Sequence, residues 1–284
     1  MIVTRFAPSP TGFLHLGHAF AAITAYEAAK RAQGRFVLRI EDIDIGRCRP
    51  EFEAAIKEDL RWLEVEFDEP VRRQSEHMSD YAAAIATLEK CGLVYPCFCT
   101  RKDIAGEIAR AGAAPHGPDG PAYPGTCRRL SLSERSERMS TGANYALRLD
   151  AAKAFAEIGV PLSFEEQGRG PAGEHGRQIV SRDYLSDIVL ARKELKTSYH
   201  LAVVVDDALQ AVSLVTRGAD LFHATSIQRL LQCCLALPVP VYAHHRLILD
   251  DSGKKFSKRD TSVTLGSLRN AGIPPAQIRA RLGF

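Results

Sequence analysis

Apolar and polar positions change their spacing several times along the chain, and each change outlines an element. Residues 2–6, Ile-Val-Thr-Arg-Phe, are a β-prone run that stops at Ala7-Pro8-Ser9-Pro10-Thr11-Gly12, where two prolines and a glycine enforce a turn. From 16 to 30 alanines and larger apolar residues recur at helical spacing, and 35–40 is again β-prone before Glu41-Asp42-Ile43-Asp44. Strand, helix and strand in that order predict the opening βαβ unit of a parallel sheet. Helical patterns follow over 51–65, with Pro50 at the first turn, and over 76–91. The unbroken apolar run at 199–205 predicts a buried strand ending at Asp206-Asp207, with 211–216 as its partner before Arg217-Gly218-Ala219-Asp220. A helix over 225–235 leads through Pro238 and Pro240 to a β-prone stretch at 246–249. A charged loop at 250–260 follows, then a tail at 265–282 that reads as short helices broken at 272–275.

Between 97 and 175 the texture differs. Cysteines, a Gly/Pro-rich stretch at 112–125, an arginine-rich segment, a strand at 144–149 and a second Gly-rich stretch at 168–176 mark an insertion. It divides the α/β body into a first half, 1–96, and a second half, 176–249, with the lysine-rich loop and helical tail at 250–284. A hydrophobic content of 45% with 25% charged residues suits one full-sized core plus an appendage and excludes disordered or fibrous classes. The net charge of +3 is too mild to mark a general nucleic-acid binder, so any RNA contact would fall to arginine patches at 128–129, 135–138 and 279–281. The start of the chain lacks a secretory apolar region, and the longest apolar stretches, 201–205 and 235–241, are far short of a membrane span. Seven cysteines, three of them at 97, 99 and 127, suit thiolate chemistry in a reducing compartment better than a disulfide scaffold. A cytoplasmic protein without a membrane partner is expected.

His15-Leu16-Gly17-His18 follows the turn and opens a helix, so two imidazoles and the free amides of the first helical turn can face an anion together. Taken alone, the tetrad is also compatible with local packing. Lys255-Phe256-Ser257-Lys258-Arg259 adds a lysine-rich loop able to meet the same phosphates from the opposite side, and neither a Walker-type loop nor a GxGxxG fingerprint is present. With Arg5-Phe-Ala-Pro-Ser-Pro-Thr-Gly12, Val37-Leu-Arg-Ile-Glu-Asp-Ile-Asp44, Leu201-Ala-Val-Val-Val-Asp-Asp207 and Arg217-Gly-Ala-Asp220, the chain resembles the class I glutamyl-tRNA synthetase family over nearly its whole length.

That resemblance implies an α/β fold: a class I Rossmann-like parallel-sheet catalytic domain with a small zinc-binding insertion and a short helical C-terminal segment. It implies a glutamate pocket of Arg5, Ala7, Ser9, Glu41, Tyr199 and Arg217, and an ATP site of His15, Gly17, His18, Lys255, Ser257 and Lys258 with Mg²⁺ accompanying the nucleotide. His15, His18 and Lys258 would be the catalytic groups, with Lys258 bearing most of the transition-state charge and Lys255 and Arg259 in support. The chemistry fits, because a substrate with two carboxylates and one ammonium calls for two cationic clamps and one anionic clamp. No protein nucleophile is needed when the substrate's own carboxylate attacks the α-phosphate. Phe256, where the family more often carries leucine, leaves the flanking lysines and Ser257 intact.

Three cysteines offer three soft ligands, whereas tetrahedral zinc takes four. The spacing alone equally allows three buried thiols, and His116 competes for the fourth position. The resemblance to short members of the family implies one structural Zn²⁺ per chain on Cys97, Cys99, Tyr123 and Cys127. Cys48, Cys91, Cys233 and Cys234 read as ordinary small residues, and His244-His245 stays open between a place near ATP and simple packing. The sequence ends soon after Lys258, where full-length members continue into an anticodon-binding region. By resemblance to the truncated form, glutamate would pass from its adenylate to the queuosine base at the wobble position of tRNA(Asp). Charging of a tRNA 3′ end and RNA-free ligation are the alternatives. The expected partners are ATP, L-glutamate and queuosine-containing tRNA(Asp), with the protein a monomer.

Overall fold

The computed structural model describes residues 1–110, 116–117, 120–121, 123–193, 195–249 and 263–284. The first half opens with β1 (Val3–Phe6), α1 (Leu16–Arg31), β2 (Arg35–Ile40), α2 (Pro50–Trp62), β3 (Asp68–Arg73) and α3 (Met78–Lys90). β1 pairs in parallel with β2, and β2 with β3, as the βαβ pattern predicts. Every residue of β1 is buried, and so is β2 beyond Arg35, because helices cover both faces of a parallel sheet. Pro50 occupies the first position of α2, where its missing N–H costs nothing.

The chain then forms β4 (Val94–Cys97), α4 (Arg101–Arg110), the two-residue strands β5 (His116–Gly117) and β6 (Gly120–Pro121), α5 (Leu132–Ser140), β7 (Ala146–Leu149) and α6 (Ala151–Ile158). β8 (Ser163–Glu166), β9 (Gly176–Ile179) and β10 (Val189–Arg192) follow, then α7 (Tyr199–Leu209), β11 (Leu214–Gly218), α8 (Ala224–Cys234), β12 (Val241–His245), α9 (Leu265–Asn270) and α10 (Pro275–Leu282). β4, β7 and β10 make an antiparallel sheet of their own, in the order β10-β7-β4. β8 instead joins the catalytic body, pairing in parallel with β12, which pairs in parallel with β11. The chain therefore passes to and fro between the two sheets over 163–192.

The parallel halves meet at β1 and β11: Ser213 donates its backbone N–H to Val3 O at 3.0 Å, and Ser213 Oγ accepts the Val3 N–H at 2.9 Å. Outward from the junction the strands run β1-β2-β3 on one side and β11-β12-β8 on the other. Strand order reverses at this junction, and in open α/β sheets such a reversal leaves a crevice at the carboxyl ends of the strands.

Two sequence expectations are corrected. Residues 199–205 are not a strand but the first two turns of α7, capped by Ser198 Oγ, which accepts the Leu201 N–H. His200 through Asp207 are all buried, so this stretch of the helix shows no alternation of buried and exposed positions to distinguish it from a buried strand. The partner of β11 is β12, in the register Leu214↔Val241 to Gly218↔His245. The strand expected at 246–249 thus lies earlier, at Val241–His245, immediately after Pro240. His244, buried at its far end, is the polar residue that disguised it.

The tail packs back on the first half. Leu265, Ile278 and Leu282 are buried with Leu14, Leu16, Ile23 and Leu60, Arg269 pairs with Asp59 and Arg279 with Glu27. Among the described residues, no helix is long and apolar enough to cross a membrane.

Candidate active site and metal-ligand cluster

The crevice is lined by charge that the sheet buries. Arg5, on β1, donates from Nε to Asp207 Oδ1 at 3.2 Å and from Nη1 to Thr216 O at 3.1 Å. Asp207 Oδ1 also accepts from Arg39 Nη1 at 2.8 Å, and Arg39 reaches Glu41 Oε1 with Nε at 3.4 Å and Nη2 at 3.3 Å. Arg39 is fully buried, and its charge is balanced by Asp207, Glu41 and Asp206. Asp206 in turn accepts from Arg72 Nε, Gln74 Nε2 and the Tyr81 hydroxyl. Burial alone would raise the Asp207 carboxyl, but Arg5 and Arg39 hold it below the usual carboxylate range. At Glu41 burial wins over the attraction of Arg39 and Arg5, and its carboxyl is raised. A cation placed against Glu41 would relieve that burial penalty.

The turn after β1 closes on this cluster. Glu41 donates its backbone N–H to Pro8 O at 3.0 Å, which ties the loop holding Ala7 and Ser9 to the end of β2. Tyr199 is half-buried on the first turn of α7, seven residues before Asp206 and hence on the same helix face about 10 Å away.

On the other side of the junction Arg217 is held by all three of its nitrogens. Nε donates to His244 Nε2 at 3.0 Å, Nη1 to Gln228 Oε1 at 2.7 Å and Nη2 to Thr225 Oγ1 at 2.7 Å. The guanidinium lies 5.2 Å from the centre of the Tyr242 ring. Behind it, His244 Nδ1 meets Glu166 Oε2 at 2.5 Å, and Glu166 Oε1 accepts the His244 and Gly168 amides at 2.9 and 2.7 Å. Burial would raise the Glu166 carboxyl, yet these bonds keep it below its usual range. For His244, burial outweighs the pull of Glu166 and lowers the imidazole's proton affinity, helped by Arg217.

His15 and His18 open α1 as a reciprocal cap. His15 Nδ1 accepts the Gly17 N–H at 3.1 Å, and His18 Nδ1 accepts the His15 N–H at 3.2 Å. With both Nδ1 atoms accepting, the neutral rings carry their protons on Nε2, as donors suited to anionic oxygens. A side chain at position 17 would meet the His15 ring at 3.0 Å, so glycine there leaves the imidazole its place. Lys255, Ser257, Lys258 and Arg259 lie outside the described residues. Leu265, seven residues after Lys258, donates its N–H to Leu14 O at 2.8 Å, beside this cap.

In the insertion, Cys97, Cys99 and Cys127 bring their sulfurs within 4.8 Å of one another and form a group able to hold a metal ion. Tyr123 Oη lies 3.3 Å from Cys97 Sγ and 3.5 Å from Cys99 Sγ, and Cys99 Sγ lies 3.4 Å from Cys127 Sγ. Thiolates bound to one zinc stand roughly 3.8 Å apart, so four donors already converge on a volume of the right size. Burial pushes the Cys99 thiol up to about 12, whereas at Cys127 the Phe98 amide and neighbouring donors overcome burial and hold the thiol low. The Arg148 guanidinium lies 4.0 Å from the centre of the Tyr123 ring, while burial and the hydrogen bonds with Cys97 and Cys99 raise the Tyr123 hydroxyl above its usual range. The side chain of His116 lies outside the described residues.

The family description "tRNA synthetases class I (E and Q), catalytic domain" matches residues 1–283. The chain belongs to this synthetase family. A glutamyl-Q tRNA(Asp) synthetase of Rhodobacter capsulatus is 50% identical, covering 100% of both chains. One of Nocardia farcinica is 44% identical over 98% of this chain and 82% of its own. A solved glutamate tRNA ligase of Elizabethkingia meningosepticum, in complex with its amino acid, superposes with a TM-score of 0.74 at 29% identity, over 91% of this chain and 52% of that one. The chain thus spans about half the length of that solved structure.

For a class I synthetase, the arrangement gathers Arg5, Glu41 and Arg217 at the carboxyl ends of β1, β2 and β11. Sequence reasoning missed Arg39, Asp207, Glu166, Gln228 and the role of His244. The available signal was a charged residue inside an otherwise apolar run, as with Arg39 between Leu38 and Ile40 and Asp206-Asp207 after three valines. The RNA patches also change. Arg128 is engaged by Asp187 at 3.0 Å, Arg135 by Arg128 O at 2.8 Å, and Arg279 by Glu27. Arg129, Arg138 and Arg281 remain exposed.

Proposed function

We propose that the protein activates L-glutamate with Mg²⁺-ATP as glutamyl-adenylate and transfers the glutamyl group to the queuosine base at the wobble position of tRNA(Asp). The observation that carries this reading is full-length similarity, at 50% identity, to a glutamyl-Q tRNA(Asp) synthetase, in a chain whose crevice gathers two arginines and a glutamate.

In the first step an α-carboxylate oxygen of glutamate attacks the α-phosphorus of ATP, and pyrophosphate departs. Arg5 and Arg217 clamp the substrate's carboxylates, and Glu41 takes its ammonium group, with Ala7, Ser9 and Tyr199 completing the pocket. The Nε2–H donors of His15 and His18 and the first amides of α1 meet the phosphates, with Gly17 allowing close approach. Lys258, supported by Lys255, Ser257 and Arg259, stabilises charge on the phosphoryl oxygens; Mg²⁺ when bound neutralises the nucleotide. In the second step a hydroxyl of the queuosine cyclopentene ring attacks the glutamyl carbonyl, and AMP leaves with the bonding pair. The chain's own work is alignment and charge balance.

Zn²⁺ on Cys97, Cys99, Tyr123 and Cys127 would be structural, because all four positions are filled by protein. The RNA face is read on the insertion: a cavity of about 380 Å³ is lined by Met139, Tyr145, Leu147, Arg192 and Lys193, apolar and aromatic surface rimmed by cations, suited to an unstacked base. A cytoplasmic monomer acting on tRNA is consistent with this reading. Glutamate-dependent exchange of pyrophosphate into ATP tests the first step, with no exchange on glutamate addition as the contrary result.

A further inference from the structure

Three neighbouring strands carry a relay that ends on Arg217. Glu166 ends β8, His244 lies on β12 and Arg217 on β11, the strands being adjacent in the order β11-β12-β8. Arg217 and His244 are direct partners in the register, so in parallel strands their side chains share a sheet face. We propose that Glu166 and His244 are positioning residues that fix the Arg217 fork for a substrate carboxylate; this rests on the reading of Arg217 as a carboxylate clamp.

The geometry dictates the protonation pattern. An arginine Nε only donates, so His244 Nε2, 3.0 Å away, accepts. The imidazole proton therefore sits on Nδ1 and is donated to Glu166 Oε2 at 2.5 Å. Glu166, with two backbone amides on its other oxygen, cannot rotate away. All three side chains are buried, Glu166 completely. A carboxylate placed directly on Arg217 would neutralise the guanidinium and compete with the substrate. A neutral imidazole instead takes the Nε–H without cancelling the charge, while the anion one bond further back sets the tautomer, as outer partners do for ligating histidines. Gln228 Oε1 and Thr225 Oγ1 fix the two remaining nitrogens, each of which keeps one N–H for a ligand. Gln228 Nε2 is buried and has no partner among the described residues, a donor left beside the fork.

The arrangement makes glutamate binding sensitive to acid. The charged or titratable groups facing His244 are Glu166 from β8, Arg217 from β11 and His245 beside it, with the Tyr242 and Phe222 rings completing its surroundings. A proton on Nε2 would set N–H against N–H and release Arg217 Nε.

The test is the glutamate KM in pyrophosphate exchange, measured across pH for wild type, His244→Leu, His244→Gln, Glu166→Gln and Arg217→Ala, with thermal unfolding of each. His244→Leu is expected to raise the glutamate KM about tenfold or more, the scale of one lost buried hydrogen bond to a charged group, with the ATP KM unchanged. His244→Gln, which can offer an amide oxygen near the place of Nε2, is expected to recover most of that loss and to remove the rise of KM at acid pH. Glu166→Gln is expected to raise KM and to move the acid limb to lower pH, because the anion that favours a protonated ring is gone. Should His244→Leu fail to fold, the His244→Gln and Glu166→Gln pH profiles decide. Unchanged glutamate KM and an unmoved acid limb in these variants, while Arg217→Ala raises KM, would overturn the relay. An unchanged KM in Arg217→Ala would instead overturn the clamp on which it rests.

Discussion

Arg217 shows how one residue gains its role from its surroundings. Three neutral acceptors hold its nitrogens, so the charge is fixed in direction without being cancelled. A lysine keeps the charge but loses the fork. Arg217→Lys is therefore expected to raise the glutamate KM about tenfold, equivalent to roughly 1.4 kcal/mol, and exchange kinetics with ATP saturating check it. Gly168 carries a steric version of the same constraint. A Cβ there would lie 2.2 Å from His244 O and 2.6 Å from His244 N, both backbone atoms that cannot swing aside. Gly168→Ala is expected to lose about 1–3 kcal/mol, read as a lower midpoint in urea unfolding; an unchanged midpoint would contradict the packing. At this scale the sequence singles out Arg5, Glu41 and Arg217, and the structure sets them on β1, at the end of β2 and on β11. The sequence was opaque for Arg39, Glu166 and His244, whose partners lie 168, 78 and 27 residues away. Long-range pairing of buried charge leaves no local spacing to read.

Elements were legible where a face met solvent. α1, α2 and α3 alternate buried positions with half-buried or exposed ones, and their ranges follow the pattern closely. α7 does not, because it is enclosed between the sheet, α3 and α8, and its run of valines mimics a strand. The antiparallel sheet of the insertion was legible in β7 but not in β10, a strand of four residues whose pairing skips a register position. The cysteine cluster is the device that closes this element, joining the end of β4 to residues 123–127. Cys127→Ser is expected to lower bound zinc from one per chain to near zero, by elemental analysis, and to speed amide exchange at 95–99 and 123–130. Pyrophosphate exchange should persist, since the glutamate crevice lies on the other sheet. Metal-free wild type purified without chelator would contradict the zinc assignment. On the RNA face of the same element, Tyr145→Ala with Arg192→Ala is expected to raise the KM for tRNA several-fold and lower its salt slope by about one, while exchange without tRNA stays unchanged.

Across the whole molecule, a net charge of +3 conceals an uneven distribution. Of the arginines expected to meet RNA, Arg128 is paired with Asp187, Arg135 with Arg128 O and Arg279 with Glu27, while Arg5 and Arg39 are paired with Asp207 inside the fold. These pairs join parts distant in sequence, tying the tail to α1 through Glu27 and β1 and β2 to α7 through Asp207. Among the described residues, Arg129, Arg138, Arg192 and Lys193 on the insertion and Arg281 on the tail stay exposed for RNA. What defines the reaction is the identity of the atom that receives glutamate. Incubation with labelled glutamate, ATP and tRNA(Asp), with and without queuosine, followed by nuclease digestion, locates the label. Label on the queuosine nucleoside, and none on tRNA lacking it, is the predicted result; label on the 3′-terminal adenosine with none on queuosine would contradict it.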